Sequence, residues 1–381
     1  MKSLYLDYNA TTPVDPAVLE VMLPYFTEHF GNSVSSLHEL GWKADQAVET
    51  ARKQVAQLLC CSPQEVFFTS GATESNNWVM RGLIDHWRRT EPQVKPHVIS
   101  SPVEHSSVLQ TLHWAQRAGL LDVTYVPVDS TGKVQLEEVI KSLRSETRLM
   151  SFMWVNNELG SFNPLRELGE LARERKIYLH TDATQAIGKT KVDLSEFPLD
   201  LLSFSGHKIY GPKGVGILYR RSKNPSVQLD PLLYGGGHER GQRSGTVNVP
   251  AVVGLGAACD IVSQRWTRDA QNVMDLKKRL FADLKSTFQG LRLNGSQDLE
   301  TAACNTLNLT FTQHQLPAQI PGLAVSRGSA CHSGSTSSSQ VLKAIGIPER
   351  EAQNTLRISL GRDQTWEELS KVAPLLKACV R

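Results

Sequence analysis

The sequence predicts an α/β protein: a mostly parallel sheet covered on both faces by helices, with a second, smaller α+β domain. Three observations carry this. From about residue 63 to residue 219, short apolar, β-rich runs alternate with stretches of helical spacing. After Gly254 the alternation stops and one long helical stretch begins. The length of 381 residues also exceeds what one hydrophobic core ordinarily organises, so two domains are expected.

The strand candidates, in order, are Val66-Phe67-Phe68-Thr69, Val98-Ile99-Ser100, Val123-Thr124-Tyr125-Val126, Met150-Ser151-Phe152-Met153, Ile177-Tyr178-Leu179 and Leu201-Leu202-Ser203-Phe204. Between them lie helix candidates at 74–87, 108–117, 136–143 and 165–175. Apolar strands alternating with amphipathic helices are the pattern of a parallel sheet buried on both faces. Gly211-Pro212-Lys213-Gly214-Val215-Gly216 reads as a tight turn entering a further strand. Beyond Gly254 the helical stretch runs to about residue 289. A strand candidate at 306–311, a Gly/Ser-rich loop around Cys331 and a closing helix from Trp366 follow it. Asp15-Pro16 reads as a helix start after an extended arm. The expected division is a large domain over 15–255 and a small one formed by 1–14 and 256–381. No internal repeat is visible, and the only low-complexity stretch is 333–339.

Composition excludes several classes of function. The formal net charge is +3 with acidic and basic residues interspersed, which gives no reason to expect nucleic acid. The opening MKSLYLDYNATTP has no apolar signal core, and no apolar run approaches the ~20 residues of a membrane span. Cys60, Cys61, Cys259, Cys304, Cys331 and Cys379 are scattered, with no CxxC pair. A reduced, cytoplasmic protein without a metal site is the expectation.

Polar residues cluster just past the predicted strand ends. Thr69-Ser70-Gly71-Ala72-Thr73 opens a helix; it is either an ordinary N-cap or an anion site suited to a phosphate. Asp182 is either a structural cap or the partner of a protonated ring nitrogen on a cofactor. Lys208, in Ser203-Phe204-Ser205-Gly206-His207-Lys208, is either a surface lysine or a Schiff-base amine. Gly235-Gly236-Gly237-His238-Glu239-Arg240-Gly241 is glycine-dense enough to allow a close backbone approach to a phosphate or a subunit. Neither glycine-rich segment has the spacing of a nucleotide-binding loop. Cys331, in Gly328-Ser329-Ala330-Cys331-His332-Ser333, is flanked by residues that favour exposure, as a nucleophile requires. The other five cysteines fit the ordinary pattern of buried, inert thiols.

Taken together, these segments resemble the cysteine desulfurases of the class V aminotransferase family, which carry pyridoxal 5'-phosphate (PLP) on a type I fold. The resemblance runs from Leu6-Asp7-Tyr8-Asn9-Ala10-Thr11-Thr12 to Arg357-Ile358-Ser359-Leu360-Gly361-Arg362. It is most specific in TSGATESNN from Thr69, Val103-Glu104-His105, Asn156-Asn157-Glu158, HTDATQ from His180, SGHKIYGPKG from Ser205, GGGHERGQRSGT from Gly235 and GSACHS from Gly328. It implies an aspartate aminotransferase-like fold with a mostly parallel seven-stranded sheet, and a homodimer. It further implies that Lys208 holds PLP covalently, Asp182 pairs with the pyridine nitrogen, Gln185 contacts the ring hydroxyl and His105 stacks on the ring. Ala72, Thr73, Ser205 and His207 would hold the phosphate, with Thr246 reaching it from the neighbouring subunit. Asn157, near the ring hydroxyl, and Arg357 would receive the carboxylate of L-cysteine; a guanidinium suits that role by its two-pronged geometry. Cys331 would take the sulfur as a persulfide and pass it to an acceptor protein such as an iron–sulfur scaffold, leaving alanine.

The sequence departs from that family in four places. The stretch 312–323 is short and carries Pro317 and Pro321, which oppose the usual helix. Arg327 stands where a small residue is common. His332 follows the cysteine, as in selenocysteine lyases. The chain ends at Arg381 without the longer tail that docks a scaffold. Two rival readings follow: a selenocysteine lyase, and a PLP-binding assembly partner without turnover.

Overall fold

The computed structural model describes residues 3–327 and 339–380. Its strands are β1 (Leu4–Tyr5), β2 (Val66–Thr69), β3 (His97–Ser100), β4 (Asp122–Tyr125), β5 (Thr147–Ser151), β6 (Tyr178–Asp182), β7 (Leu201–Ser205), β8 (Gly216–Arg220), β9 (Leu291–Leu293), β10 (Thr306–Phe311), β11 (Leu323–Ala324) and β12 (Thr355–Ser359). The helices are α1 (Pro16–Met22), α2 (Pro24–Thr27), α3 (Glu39–Leu59), α4 (Ala72–Thr90), α5 (Ser106–Arg117), α6 (Leu136–Lys141), α7 (Leu165–Arg175), α8 (Val249–Thr287), α9 (Gln340–Ala344), α10 (Glu349–Ala352), α11 (Trp366–Leu369) and α12 (Val372–Lys377).

Seven strands form one sheet in the order β2-β8-β7-β6-β5-β3-β4. Its strands run parallel except β8, which lies antiparallel between β2 and β7. The sheet therefore agrees with the expected mostly parallel seven-stranded α/β fold. On one face, Val55, Leu59, Leu168, Leu179 and Leu255 from α3, α7, β6 and α8 join a single core. On the other, Trp78, Leu83, Val108 and Leu112 of α4 and α5 pack on Phe67, Val98 and Leu201. Both faces are buried, which is why these strands read as continuous apolar runs. β8 can intrude only because residue 216 is glycine: a Cβ there would stand 2.5 Å from Gly71 Cα and 2.7 Å from the Phe204 carbonyl oxygen.

A three-stranded antiparallel sheet, β12-β10-β9, and the parallel pair β1-β11 make up the rest. Their core gathers Leu307, Leu309, Leu356, Ile358 and Leu376. Helix α8 joins the two regions. Its first half buries Val252, Leu255 and Cys259 under the large sheet, and its second half buries Val273, Leu280 and Leu284 under the small one. It spans 39 residues, or ~58 Å at 1.5 Å per residue.

Differences from the predicted elements have local causes. Helix α8 starts five residues before Gly254, because the Asn248 side chain accepts from Ala251 N–H and Pro250 sits in the first turn. The closing helix is two short ones, α11 and α12. The sequence reading misses α3, β9 and β12. Residues 312–322 hold no helix, as Pro317 and Pro321 predict. Cys60 departs from the expectation of a buried thiol: it is exposed, in the left-handed turn (φ 54°) that ends α3 and carries it off the core. Among the described residues, no helix is long and apolar enough to cross a membrane.

Two buried histidines lace the sheet together. His97 lies 2.8 Å from both Thr147 Oγ1 on β5 and Thr124 Oγ1 on β4. His180 lies 2.9 Å from Ser151 Oγ on β5 and 3.1 Å from Ser203 Oγ on β7. Burial pushes both rings down to about 4, so both are neutral at pH 7. The unfolded chain takes up these protons from about pH 6.5 downward, whereas the folded one resists until near pH 4. Stability should thus fall across that window, by on the order of 1–3 kcal/mol from these two rings. Melting temperature against pH should show the decline in the wild type and a flatter profile in His97→Gln; equal slopes would contradict it.

Candidate active site

The C-terminal ends of β2, β3, β5, β6 and β7 open onto one side of the large sheet, where parallel α/β sheets place their ligands. A cavity of about 210 Å³ lies there. Its lining contains Ala72, Thr73, His105, Asn157, Asp182, Gln185, Ser205, His207, Lys208 and Arg357. Ten of the candidate residues thus meet around one space, from positions 285 residues apart in the chain.

Asp182 is the last residue of β6 and is 5% exposed. Its carboxylate accepts from Asn76 Nδ2 at 2.8 Å and from Thr184 N–H at 3.0 Å. Asn76 Nδ2 also donates to Ser107 Oγ, which lies 2.8 Å from His105 Nδ1. His105 is the N-cap of α5 and accepts the Ser107 amide at 3.2 Å through the same nitrogen. A chain of polar contacts therefore fixes the imidazole relative to the carboxylate.

On the neighbouring strand, β7 turns sharply over Gly206–Lys208, and Lys208 Nζ donates to the Asn9 and Ala10 carbonyls at 2.6 Å each. Ser205 Oγ accepts the Ala72 amide at 2.7 Å at the start of α4. The preceding Gly71 has φ +152°, a region that favours glycine, and its backbone aims the first turn of α4 at the cavity. His207 Nδ1 lies 3.0 Å from Thr11 Oγ1, and burial together with Lys208 and Lys213 pushes its ring down to about 4. Arg357, on β12, is 1% exposed. Its Nη2 donates to Asp7 at 2.6 Å and its Nη1 to the Asn157 carbonyl at 3.1 Å.

One candidate residue falls elsewhere, and one cannot be placed among the described residues. Thr246 is exposed on the surface and does not line the cavity of its own chain. Cys331 lies outside the described residues. The glycine-dense segment is pinned by Glu239, whose buried carboxylate takes both Arg52 Nη atoms at 2.8 and 2.9 Å and the Phe68 amide at 2.9 Å. That clamp holds Glu239 and Arg240 in left-handed conformations, φ 49° and 58°, beyond the exposed Gly235–Gly237.

Residues the sequence reading missed line or brace the same space: Asn9, Ala10, Thr184, Asp7 and Lys189. Asn9 and Asp7 stand inside a quoted motif, Leu6 to Thr12, but nothing local to that arm says that it folds back 350 residues in sequence to meet Arg357. Glu104 is buried beneath the wall. It accepts from Ser101 Oγ at 2.6 Å and Met153 N–H at 2.7 Å, and burial lifts its carboxyl to about 8.

The residues present suit PLP. A lysine amine, a carboxylate, an imidazole and a helix N-terminus surround one space, as a carbonyl, a ring nitrogen, an aromatic face and a phosphate require. Two buried polar atoms of the lining, Thr184 Oγ1 and Arg357 Nε, have no hydrogen-bond partner among the described residues.

The aminotransferase class-V model matches residues 4–372. A mitosomal cysteine desulfurase of Trachipleistophora hominis is 44% identical, over 99% of this chain and 86% of that protein. Among solved structures, a NifS-like protein superposes with a TM-score of 0.89 at 36% identity, covering 99% of this chain and 98% of its own. SspA in complex with cysteine superposes with a TM-score of 0.82 at 36% identity, covering 95% and 99%. The fold, the cavity and these likenesses agree, and the chain belongs to the class-V aminotransferase family, whose members use pyridoxal phosphate.

Proposed function

We propose that this chain is a cysteine desulfurase that converts L-cysteine to L-alanine and keeps the sulfur as a persulfide on Cys331. One observation carries the reading: Lys208, Asp182, His105 and Arg357 border a single cavity at the strand ends. PLP bound there supplies an electron sink for the charge left when a proton leaves the substrate's α-carbon.

The chain's own residues divide the remaining work. Lys208 holds the cofactor and moves the proton, with His105 beside it. The Asp182 carboxylate, oriented by Asn76 and the Thr184 amide, matches a protonated ring nitrogen. Ala72, Thr73, Ser205 and His207 receive the phosphate at the N-terminus of α4. His207 is neutral at pH 7 and acts there as a hydrogen-bonding group. Gln185 and Asn157 address the ring hydroxyl. Arg357 receives the substrate carboxylate: Asp7 and the Asn157 carbonyl hold its two terminal nitrogens, and Nε remains. The Cys331 thiolate then attacks the substrate sulfur; the Cβ–S bond breaks with its electron pair going to carbon, protonation of that carbon gives alanine, and Cys331 keeps an S–SH group for an acceptor protein such as an iron–sulfur scaffold.

A homodimer completes the reading. Leu19, Leu23, Phe26, Phe30, Leu37 and Trp42 form a run of exposed apolar residues near the N-terminus, and Tyr234 is 79% exposed beside the glycine-dense segment. So much apolar surface supports a protein partner, and an exposed Thr246 supports a phosphate contact given to the neighbouring subunit. The domain division at 15–255 is supported by the two cores that α8 joins. A cytoplasmic setting belongs to the same proposal.

Three outcomes test these readings. The purified protein should be yellow, Lys208→Ala should lose the visible absorbance, and borohydride should attach the cofactor at Lys208; attachment to another lysine would refute the assignment. Sedimentation should give a dimer, and an active monomer would contradict it. Alanine formation should also be measured from cysteine and from selenocysteine, for wild type and Cys331→Ser. A desulfurase loses nearly all cysteine turnover in the variant, because thiol sulfur needs a nucleophile to remove it. Selenium leaves more readily, so a variant that keeps its selenocysteine activity beside a wild type that barely uses cysteine would favour the lyase that Cys331-His332 suggests. No turnover of either amino acid would mark an assembly partner.

A further inference from the structure

Lys189 belongs to none of the roles above, yet its amine sits among the site's supports. Nζ donates to Gln185 Oε1 and, at 3.0 Å, to Asn9 Oδ1. An ammonium only donates, so it can face Gln185 only where the amide oxygen stands. The Gln185 amide nitrogen is thereby turned to the other side, where it donates to the Asn9 carbonyl at 3.0 Å. That same carbonyl accepts Lys208 Nζ at 2.6 Å. Gln185 and Lys208 both line the large cavity, whereas Lys189 and Lys208 both line a second, smaller one of about 50 Å³ behind it. Lys189 thus stands behind the wall of the site, with Gln185 between it and the cavity.

We propose that Lys189 is a positioning residue: it locks the Gln185 amide with its donor edge toward the Lys208 end of the cavity, and so favours a cofactor whose ring oxygen is an acceptor. The proposal rests on the reading that the large cavity takes pyridoxal phosphate. It adds a selection for the deprotonated ring oxygen, made by a residue that does not line that cavity. Without Lys189, Gln185 Oε1 loses its donor inside the protein, and the amide gains a reason to turn. Lys189 is also held in a responsive state. Burial, with the charges of Lys208 and Arg357 opposing its own and Cys304 favouring it, brings its amine down to about 7. Across the smaller cavity it faces Tyr8, Tyr210, Asp269 and Arg362. On the side of the large cavity the ionisable groups are Asp182, His105, His207, Lys208 and Arg357.

The test is a pH titration of the holoenzyme's visible absorption band. Lys189→Met removes charge and donors at similar length. Lys189→Ala, which leaves room for water, runs beside it, so that misfolding of one leaves the other to decide. The band's midpoint should rise by about one pH unit in either variant, since the acceptor form of the ring oxygen loses its aligned donor. Lys189→Arg should recover at least part of the shift. Gln185→Met should raise the midpoint too, and adding Lys189→Met to it should do little more, because positioning has nothing left to position. A midpoint within ~0.2 of wild type in the folded, cofactor-loaded variants would overturn the proposal. So would a Lys189→Met shift that adds in full to that of Gln185→Met, which would mark a through-space charge. A wild-type protein with no visible band at all would instead refute the cofactor reading on which the proposal stands.

Discussion

The site depends on one buried asparagine. Asn9 follows the short strand β1 and is 3% exposed. Its backbone carbonyl takes Lys208 at 2.6 Å and Gln185 at 3.0 Å, and its side-chain oxygen takes Lys189 at 3.0 Å and Asn305 at 2.9 Å. Its side-chain nitrogen donates to the Asn157 carbonyl and to Thr306 Oγ1, and its amide to Ser359 Oγ. Lys208, Gln185, Lys189 and Asn157 come from the region of the large sheet; Asn305, Thr306 and Ser359 belong to the strand ends of the small one. One residue on an extended arm therefore sets where the two sheets' contributions meet. Each bond is modest alone, but in a buried network they reinforce one another.

That arrangement explains how the sequence could be read and where it could not. The alternation of apolar runs and helical stretches made the large sheet legible, since strands buried on both faces leave no other pattern. Asp182 and Lys208 were legible for a related reason: one ends β6 and the other lies three residues past β7, so local order already brings them to one edge, whereas His105 entered through the family resemblance. Arg357, Asp7 and Asn9 are different. Their meeting depends on β1 pairing with β11 and on β12 lying against β10, both long-range pairings between short segments. β12 is only five residues long and carries no turn signal that would announce it. Arg357 entered the reading through the family resemblance alone, and Lys189 did not enter it at all. Nothing in Ala186-Ile187-Gly188-Lys189 distinguishes a lysine under the site from one in water.

Helix α8 carries the mechanical side of the same constraint. An antiparallel three-stranded sheet with its own small core has little apolar surface to stabilise it alone. By running under both cores, α8 gives β10 and β12 a face to pack on and fixes their angle to the large sheet. The Arg357 guanidinium is then held to a reach set by a helix rather than by a loop. Arg357 Nη1 reaches across to the Asn157 carbonyl at 3.1 Å.

The charges around the cavity follow a consistent sign. Lys208, Arg357 and Lys189 are clustered at one end, against Asp7 and the carbonyls of Asn9 and Ala10. Arg357 is buried and the two lysines beside it are half-buried; crowding such groups together is costly, and neutral carbonyls offset only part of that cost. A protein maximising stability would exchange some of them for apolar side chains of similar volume. Their retention makes sense if the excess positive potential is used to draw and hold anionic groups, a phosphate and a carboxylate, that complete the compensation on binding. The histidines nearby fit this account. His180 and His207 are kept neutral by burial and so supply hydrogen bonds without adding to the positive excess. The Asp182 carboxylate accepts from Asn76 and the Thr184 amide and forms no ion pair among the described residues. Arg357 and Asp182 border the same cavity, so a ligand carrying an anionic group and a protonated ring atom would find a partner for each there.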